Sequence, residues 1–290
     1  MTTNAIQLDF ICKTYSKGLT GKVKALDQIN LNIEHGEAFG FIGANGAGKS
    51  TTIKIITGAL RANSGKATID GCDASSPKAR VGLGYVPESP YLYDYLTPLE
   101  ILRMGIKAHN SKLDSHSIEV NCKRWLEKFE IAHVANKTIR SFSKGMIQRT
   151  ALAHALAINP KLLILDEPLS GLDPLGRQLV INCLAEYKAT GGTLFFSSHV
   201  LHDVERLADR FALIHQGQIK KIGKTSESNT SYTITYNAPT SNQTKQLICG
   251  PDNLWTTLEK LKLERANIIE LHSKKNLEEQ FIEITKNENH

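Results

Sequence analysis

The rhythm of hydrophobic and polar positions changes several times along the chain, and each change predicts an element. From Ile6 to Ile33 the two kinds of residue alternate in two short runs, split by the polar segment 16–22, which is the period of a half-buried antiparallel hairpin. Ala38-Phe39-Gly40-Phe41-Ile42 is fully apolar, runs into Gly43 and reads as a strand. A helical spacing follows from Lys49 to Leu60, and further apolar runs at Leu162–Leu165 and Thr193–Phe196 each come after a helical stretch. Strands separated by helices predict an α/β fold with a mainly parallel sheet. Residues from about 95 to 158 keep the helical period with few strand-like runs, which predicts a helical subdomain inserted between strands of the sheet. After Gly223 the composition shifts: Lys224 to Asn229 is small and polar, as a linker is. The remainder reads strand (Tyr232–Tyr236), helix (about Asn253–Arg265), strand (Ile268–Leu271) and helix (Leu277–Lys286). The expected division is therefore a larger domain, 1–223, with an N-terminal antiparallel β subdomain, and a small α+β domain, 224–290. There is no fixed-period repeat and no heptad run long enough for a coiled coil.

Composition narrows this picture only a little. With 41% hydrophobic and 22% charged residues, 290 residues suffice for one large core or two smaller ones. The apolar runs fall far short of the roughly 20 residues that cross a bilayer, and the start lacks the basic-then-apolar pattern of a secretory signal. A cytoplasmic chain is expected. The five cysteines, Cys12, Cys72, Cys122, Cys183 and Cys249, are odd in number and never in CxxC spacing, so neither a disulfide framework nor a zinc site is suggested. The net charge is +6; the tail from Lys224 carries 8 basic and 9 acidic residues, leaving +7 on the larger domain. Such an excess suits an anionic partner, whether nucleotide, lipid head group or nucleic acid.

The segment Gly43-Ala44-Asn45-Gly46-Ala47-Gly48-Lys49-Ser50, followed by Thr51, fits the phosphate-loop pattern GxxxxGK[ST] and sits where that pattern needs to sit, between an apolar strand and a helix. Glycines let the backbone curl so that successive N–H groups converge, and the helix N-terminus adds partial positive charge. Lys49 is placed to reach the β and γ phosphates and the Ser50 hydroxyl to hold magnesium. A P-loop NTPase fold follows. Further along, Leu162-Leu163-Ile164-Leu165 delivers Asp166 and Glu167 at a strand end, and Pro168 turns the chain there. Asp166 is expected to bind Mg2+, and Glu167 to orient or deprotonate the water that attacks the γ phosphate.

Between these two segments lies Ser141-Phe142-Ser143-Lys144-Gly145-Met146-Ile147-Gln148-Arg149, at the head of an Ala- and Leu-rich helix. Here residues 5 to about 220 resemble the nucleotide-binding subunit of an ATP-binding-cassette (ABC) transporter, with the family's motifs in the family's order. In that family a signature segment, ideally Leu-Ser-Gly-Gly-Gln, binds the γ phosphate of ATP held by the other subunit of a head-to-tail dimer. Ser143 and Gly145 match it; Lys144 and Met146 depart from it, although a hydroxyl, a glycine N–H and a helix start are all retained. By position, the resemblance also implies that Tyr15 stacks on adenine, that Asp173 in Ser170-Gly171-Leu172-Asp173-Pro174 belongs to the loop joining the two ATP sites, and that His199 is the switch histidine for the γ phosphate. Most relatives have glutamine where this chain has Glu88 after Gly84-Tyr85-Val86-Pro87. Glu88 is its counterpart as a magnesium-site residue, and it adds a negative charge beside the phosphates.

What the resemblance implies as a whole is a cytoplasmic ATPase subunit with ATP and Mg2+ as cofactors, peripheral on the membrane through a separate permease of exporter (ABC-2) type. It further implies pairing with a second nucleotide-binding subunit, identical or closely related, and no nucleic-acid partner. A soluble cassette ATPase acting on ribosomes or DNA is the alternative; the paired cassettes or long coiled coil usual in those proteins do not occur here. Ser89-Pro90-Tyr91-Leu92-Tyr93-Asp94-Tyr95-Leu96 places three tyrosines in five positions, which suits either a contact with a membrane subunit or packing within the helical subdomain. Asn276 to Thr285 loosely resembles the ending of exporter-paired cassettes, and Leu277, Phe281 and Ile284 fall on one helix face as a packing stripe.

Overall fold

A computed structural model of the chain describes residues 4–17, 21–110, 112–225, 230–237 and 244–275. It divides at Gly223/Lys224 into two compact units. In the first, β1 (Ile6–Lys17) and β2 (Gly21–Ile33) form the antiparallel pair, longer than the hairpin expected from alternation. Register shifts interrupt the pairing where Phe10 (φ 50) and Gln28 (φ 52) turn left-handed, so the strands continue past the point where strict alternation fails. Two strands that the sequence pattern does not reveal, β4 (Ser64–Ile69) and the two-residue β5 (Cys72–Asp73), complete a four-stranded sheet in the order β2-β1-β4-β5.

The central sheet is built around β3 (Ala38–Ile42), buried along its whole length. With β6 (Leu83–Val86), β7 (Leu162–Leu165), β8 (Thr193–Ser198), β9 (Arg210–His215) and β10 (Gln218–Lys224) it forms a six-stranded sheet in the order β10-β9-β3-β8-β7-β6. The pairs β6/β7, β7/β8, β8/β3 and β3/β9 are all parallel, as expected. The pair β9/β10 turns at Gln216 (φ 46) and Gly217 (φ 75), whose two positive φ values are those of a tight hairpin turn. The parallel strands put their carboxyl ends on one edge of the sheet, and the phosphate loop, Glu88, the Asp166-Glu167 pair and His199 all follow such strand ends.

One apolar core joins the two sheets: Ile6, Leu8, Ile11 and Ile29 from the antiparallel layer meet Phe39, Phe41, Ile164 and Phe195 from the central sheet, with Ile53 and Ile56 of α1 (Lys49–Ile56) between them. The helix stops short of the expected Leu60 because Gly58, at φ 71, leaves the helical region, and a Cβ there would stand 2.4 Å from the Ala74 carbonyl oxygen.

Between β6 and β7 stand α2 (Pro98–His109), α3 (Ser115–Lys128) and α4 (Lys144–Ala157), packed on one another within the stretch read as helical. Each starts on a side-chain cap: Thr97 in a reciprocal capping box with Glu100, Asp114 accepting from Ser117 N, and Ser143 accepting from Met146 N. Two further helices, α5 (Pro174–Ala189) and α6 (Leu201–Leu207), flank β8 in the chain, and Asp173 caps the first of them. Cys122 and Cys183 are buried, and burial pushes both thiols up to about 11; all five cysteines are free.

In the second unit, β11 (Thr230–Asn237) is the middle strand of an antiparallel sheet, with β12 (Thr244–Cys249) and β13 (Asn267–Lys275) on its two sides. Helix α7 (Leu254–Leu263) lies between β12 and β13 in the chain and buries Leu261. The expected strand, helix and strand are present, and β12, with its polar start at Thr244-Lys245-Gln246, is an addition. The helix expected at 277–286 and the stripe of Leu277, Phe281 and Ile284 lie outside the described residues.

Candidate functional site

The phosphate loop begins where β3 ends. Ile42 is paired with Ser198 on one side and Leu213 on the other, and Gly43 N donates to Ser198 O at 3.3 Å, so the loop leaves a strand fixed by both neighbours. Gly48 (φ 114) precedes α1 and turns the chain so that the helix N-terminus faces the loop. A Cβ on Gly48 would approach Leu26 Cδ2 at 2.8 Å and the Ala25 carbonyl oxygen at 2.9 Å, whereas one on Gly46 meets nothing within 4 Å.

Lys49 is buried although charged. Its Nζ donates to the carbonyl oxygens of Gly43 (2.6 Å) and Ala44 (3.2 Å) and stands 3.1 Å from Glu167 Oε1. Two carbonyl oxygens thus accept hydrogen bonds from the ammonium, and the carboxylate offsets its charge. The other carboxylate oxygen, Glu167 Oε2, is 2.8 Å from His199 Nδ1. Lys49, Glu167 and His199, which stand 118 and 32 positions apart in the chain, form one connected chain of polar contacts at the ends of β3, β7 and β8.

Asp166 and Glu167 differ in setting. Asp166 is buried, and its Oδ1 accepts from Ser197 Oγ at 2.6 Å. Glu167 N donates to the same Ser197 Oγ at 2.8 Å, and Glu167 itself has φ 49. The turn expected at Pro168 is present, and its left-handed Glu167 separates the two carboxylates. Gln148 of α4 donates from Nε2 to the Pro168 carbonyl oxygen at 3.1 Å, holding the far side of the turn. Neither Ser197 nor Gln148 was singled out from the sequence: both act through contacts spanning 20 to 31 positions, which no local pattern displays. Burial, then the neighbouring Asp166 carboxylate, push the Tyr85 hydroxyl above its ordinary range.

The resulting cleft is lined by Ala25, Ala44, Asn45, Gly46, Gly48, Lys49, Ser50, Thr51, Glu88 and Glu167. It encloses about 240 Å³ and is open to solvent on one side. Glu88 therefore stands beside the phosphate loop, at the end of β6, and is exposed. The Ser50 hydroxyl and the Glu88 carboxylate in the cleft lining, and the Asp166 carboxylate next in sequence to the lining Glu167, are oxygen donors with the chemistry that suits Mg2+. Among the described residues no group of three or more His, Cys, Asp or Glu side chains is arranged to hold a metal ion.

Of the other expected site residues, Gly43, Ala47 and Asp166 adjoin lining residues in sequence and His199 contacts the lining Glu167, while Tyr15, Ser143, Gly145 and Asp173 are likewise not among the lining residues. The Tyr15 ring is partly exposed; its hydroxyl is 3.5 Å from Thr51 Oγ1, which ties it to the first turn of α1, and Lys13 Nζ stands 5.5 Å from its ring centre. Ser143 and Gly145 are at the start of α4, and Asp173 accepts from Gly176 N at 3.2 Å as the cap of α5. Lys144 is exposed, and its side chain runs beside Gly171.

Comparison with known proteins accounts for this arrangement. Residues 26–170 match the profile of the ABC transporter family. An uncharacterized ABC transporter ATP-binding protein of Nostoc sp. is 34% identical over 300 residues, covering 97% of this chain and 90% of that protein. The bacitracin transport ATP-binding protein BcrA of Bacillus licheniformis is 37% identical over 69% of this chain, a match spanning 64% of that relative. The lantibiotic transport ATP-binding protein SrtF of Streptococcus pyogenes is also 37% identical over 69% of this chain, and the match spans 84% of its own length. Among solved structures, the dimeric post-hydrolysis state of the ATP-binding cassette MJ0796, bound to ADP and Pi, superposes with a TM-score of 0.71 at 25% identity, covering 76% of this chain and 98% of that one. On the family match, the Nostoc relative and the strand-end site together, the chain belongs to the ABC transporter family, as one of its ATP-binding subunits.

Proposed function

We propose that two copies of this chain, or one copy and a close relative, clamp ATP and Mg2+ between the phosphate loop of one and the Ser143 signature of the other, and that closure drives a separate exporter-type permease. The single observation that carries the proposed chemistry is the contact chain Lys49–Glu167–His199 at the edge where parallel strands end. The dimeric MJ0796 cassette and the relatives named for bacitracin and lantibiotic transport support the pairing and the export reading.

In this reading the loop N–H groups and Lys49 hold the β and γ phosphates, and Lys49 exchanges its loop carbonyls for phosphate oxygens. Glu167 then accepts the proton of the attacking water, while His199, held on Glu167 Oε2 at 2.8 Å, donates toward the γ phosphate. Ser50, Glu88 and Asp166 are the residues that would hold Mg2+, which neutralises charge on the phosphate oxygens. Tyr15 supports the adenine ring. Ser143 and Asp173, at the starts of α4 and α5 and not in the lining of their own chain's cleft, act on the ATP of the other protomer. Neither protomer then holds a complete site alone, and peripheral placement on the membrane follows from docking on the permease; no helix among the described residues is long and apolar enough to cross a bilayer.

The test is Glu167→Gln. The variant is expected to bind ATP and dimerise as the parent does while losing nearly all turnover, measured by phosphate release and by size-exclusion chromatography with ATP. Hydrolysis at the parental rate would refute the proposed base.

A further inference from the structure

The Asp166–Glu167 turn depends on a hydroxyl that phosphate chemistry does not itself use. Ser197, on β8, is fully buried. Its Oγ donates to Asp166 Oδ1 and accepts from Glu167 N, at 2.6 and 2.8 Å. A serine hydroxyl carries one proton and two lone pairs, so this one atom serves two adjacent residues with opposite polarity. The neighbouring Ser198 has its hydroxyl committed to the Val200 backbone and does not stand in for it.

The backbone held in this way is one that needs holding. Glu167 combines a positive φ with a position before proline, where the ring of Pro168 favours extended conformations. Such a residue persists when the surroundings over-determine it. Here the constraints are Ser197 on the Glu167 N–H and Gln148 on the Pro168 carbonyl. The direction of the Glu167 side chain toward Lys49 and His199 follows from that turn, and the orientation of the Asp166 carboxylate follows from the other bond of the same hydroxyl.

We propose that Ser197 is a positioning residue for ATP hydrolysis, its single hydroxyl aligning Asp166 for the metal and Glu167 for the attacking water. The inference rests on the roles proposed above for Asp166 and Glu167. Phosphate binding by Lys49 and the loop N–H groups does not pass through Ser197, so its removal separates catalysis and metal demand from nucleotide affinity.

The experiment compares the full-length parent with Ser197→Ala, Ser197→Thr and Glu167→Gln, measuring kcat and KM for ATP, the Mg2+ concentration for half-maximal ATP binding, ATP affinity in EDTA, and thermal unfolding. Ser197→Ala is expected to lose about tenfold or more in kcat, as befits a buried hydrogen bond to a charged group, and to need severalfold more Mg2+. Its metal-free ATP affinity should stay within about twofold of the parent, since the loop is untouched. Ser197→Thr keeps the hydroxyl and should recover most of the loss. A folded Ser197→Ala with parental kcat and parental Mg2+ demand overturns the proposal, as does a loss of kcat that only tracks the unfolded fraction. Should Ser197→Ala not fold, Ser197→Cys, close in size and a weaker donor, is read by the same two quantities: loss in both supports the proposal, and parental values overturn it. Full turnover in Glu167→Gln would instead remove the role assignment beneath the inference. Dead Glu167→Gln beside a fully active Ser197→Ala removes the Ser197 inference alone.

Discussion

Gly48→Ala tests whether the phosphate loop needs glycine for shape or only for conformity to a pattern. The substitution meets two separate obstacles. At φ 114 an L-residue is outside the regions it adopts freely, a strain of about 1–3 kcal/mol. The new methyl would also stand 2.8 Å from Leu26 Cδ2 and 2.9 Å from the Ala25 carbonyl oxygen; the backbone atom cannot rotate away, so overpacking adds about 1–3 kcal/mol. Gly46→Ala is the internal control, because φ 81 brings the strain while nothing lies within 4 Å of the methyl. The overlap alone therefore separates the two variants by about 1–3 kcal/mol, or about 2–12 °C in melting temperature for a unit of this size. Thermal unfolding of the two full-length variants and the parent, followed by far-UV circular dichroism, reads this difference. Equal melting temperatures for Gly48→Ala and Gly46→Ala would refute the steric argument and leave only conformational preference.

Two further expectations follow from single contacts. Tyr15→Ala should weaken ATP binding severalfold, in keeping with the about 0.5–1.5 kcal/mol that ring stacking contributes, while leaving turnover at saturating ATP close to the parent. Equal affinity in a nucleotide titration would return Tyr15 to an ordinary exposed position. His154 fits against Gly105, where a Cβ would stand 2.2 Å from its Nε2; burial, then the nearby His109, hold its pKa below the ordinary histidine value. The unfolded chain therefore takes up this proton more readily than the folded one. The His154 contribution is fully present above the unfolded value of about 6.5 and is lost as pH falls from there toward the folded value. The urea midpoint should drop between about pH 7.5 and 5.5 in the parent and drop less in His154→Gln; equal drops would locate the proton elsewhere.

Much of this arrangement was legible because the chemistry is carried by contiguous segments. The loop 43–50 and the pair Asp166-Glu167 each follow a run of apolar residues, and apolar runs are what parallel strands buried on both faces look like. The ends of those runs therefore mark the site. Where polarity is mixed the pattern says less. Strands β4, β5 and β12 are short and partly exposed, so alternation does not mark them, and β2 continues through a left-handed Gln28 that breaks its period. Ser197 and Gln148 escaped for another reason. Their neighbours in sequence are unremarkable strand and helix residues, and their importance lies in hydrogen bonds to a turn brought close only by the sheet order β3-β8-β7 and the packing of α4. The departures at Lys144 and Glu88 were visible as letters; only the fold places the first beside Gly171 and the second in the cleft.

The 3.1 Å ion pair between Lys49 and Glu167 lets one cation touch both the phosphate loop and the strand-end carboxylate. Two segments that are far apart in the chain thus share a single charged hub. Under the proposed roles, a substitution at Lys49 therefore disturbs the carboxylate as well as the phosphate contact, and its effect on turnover is the sum of both.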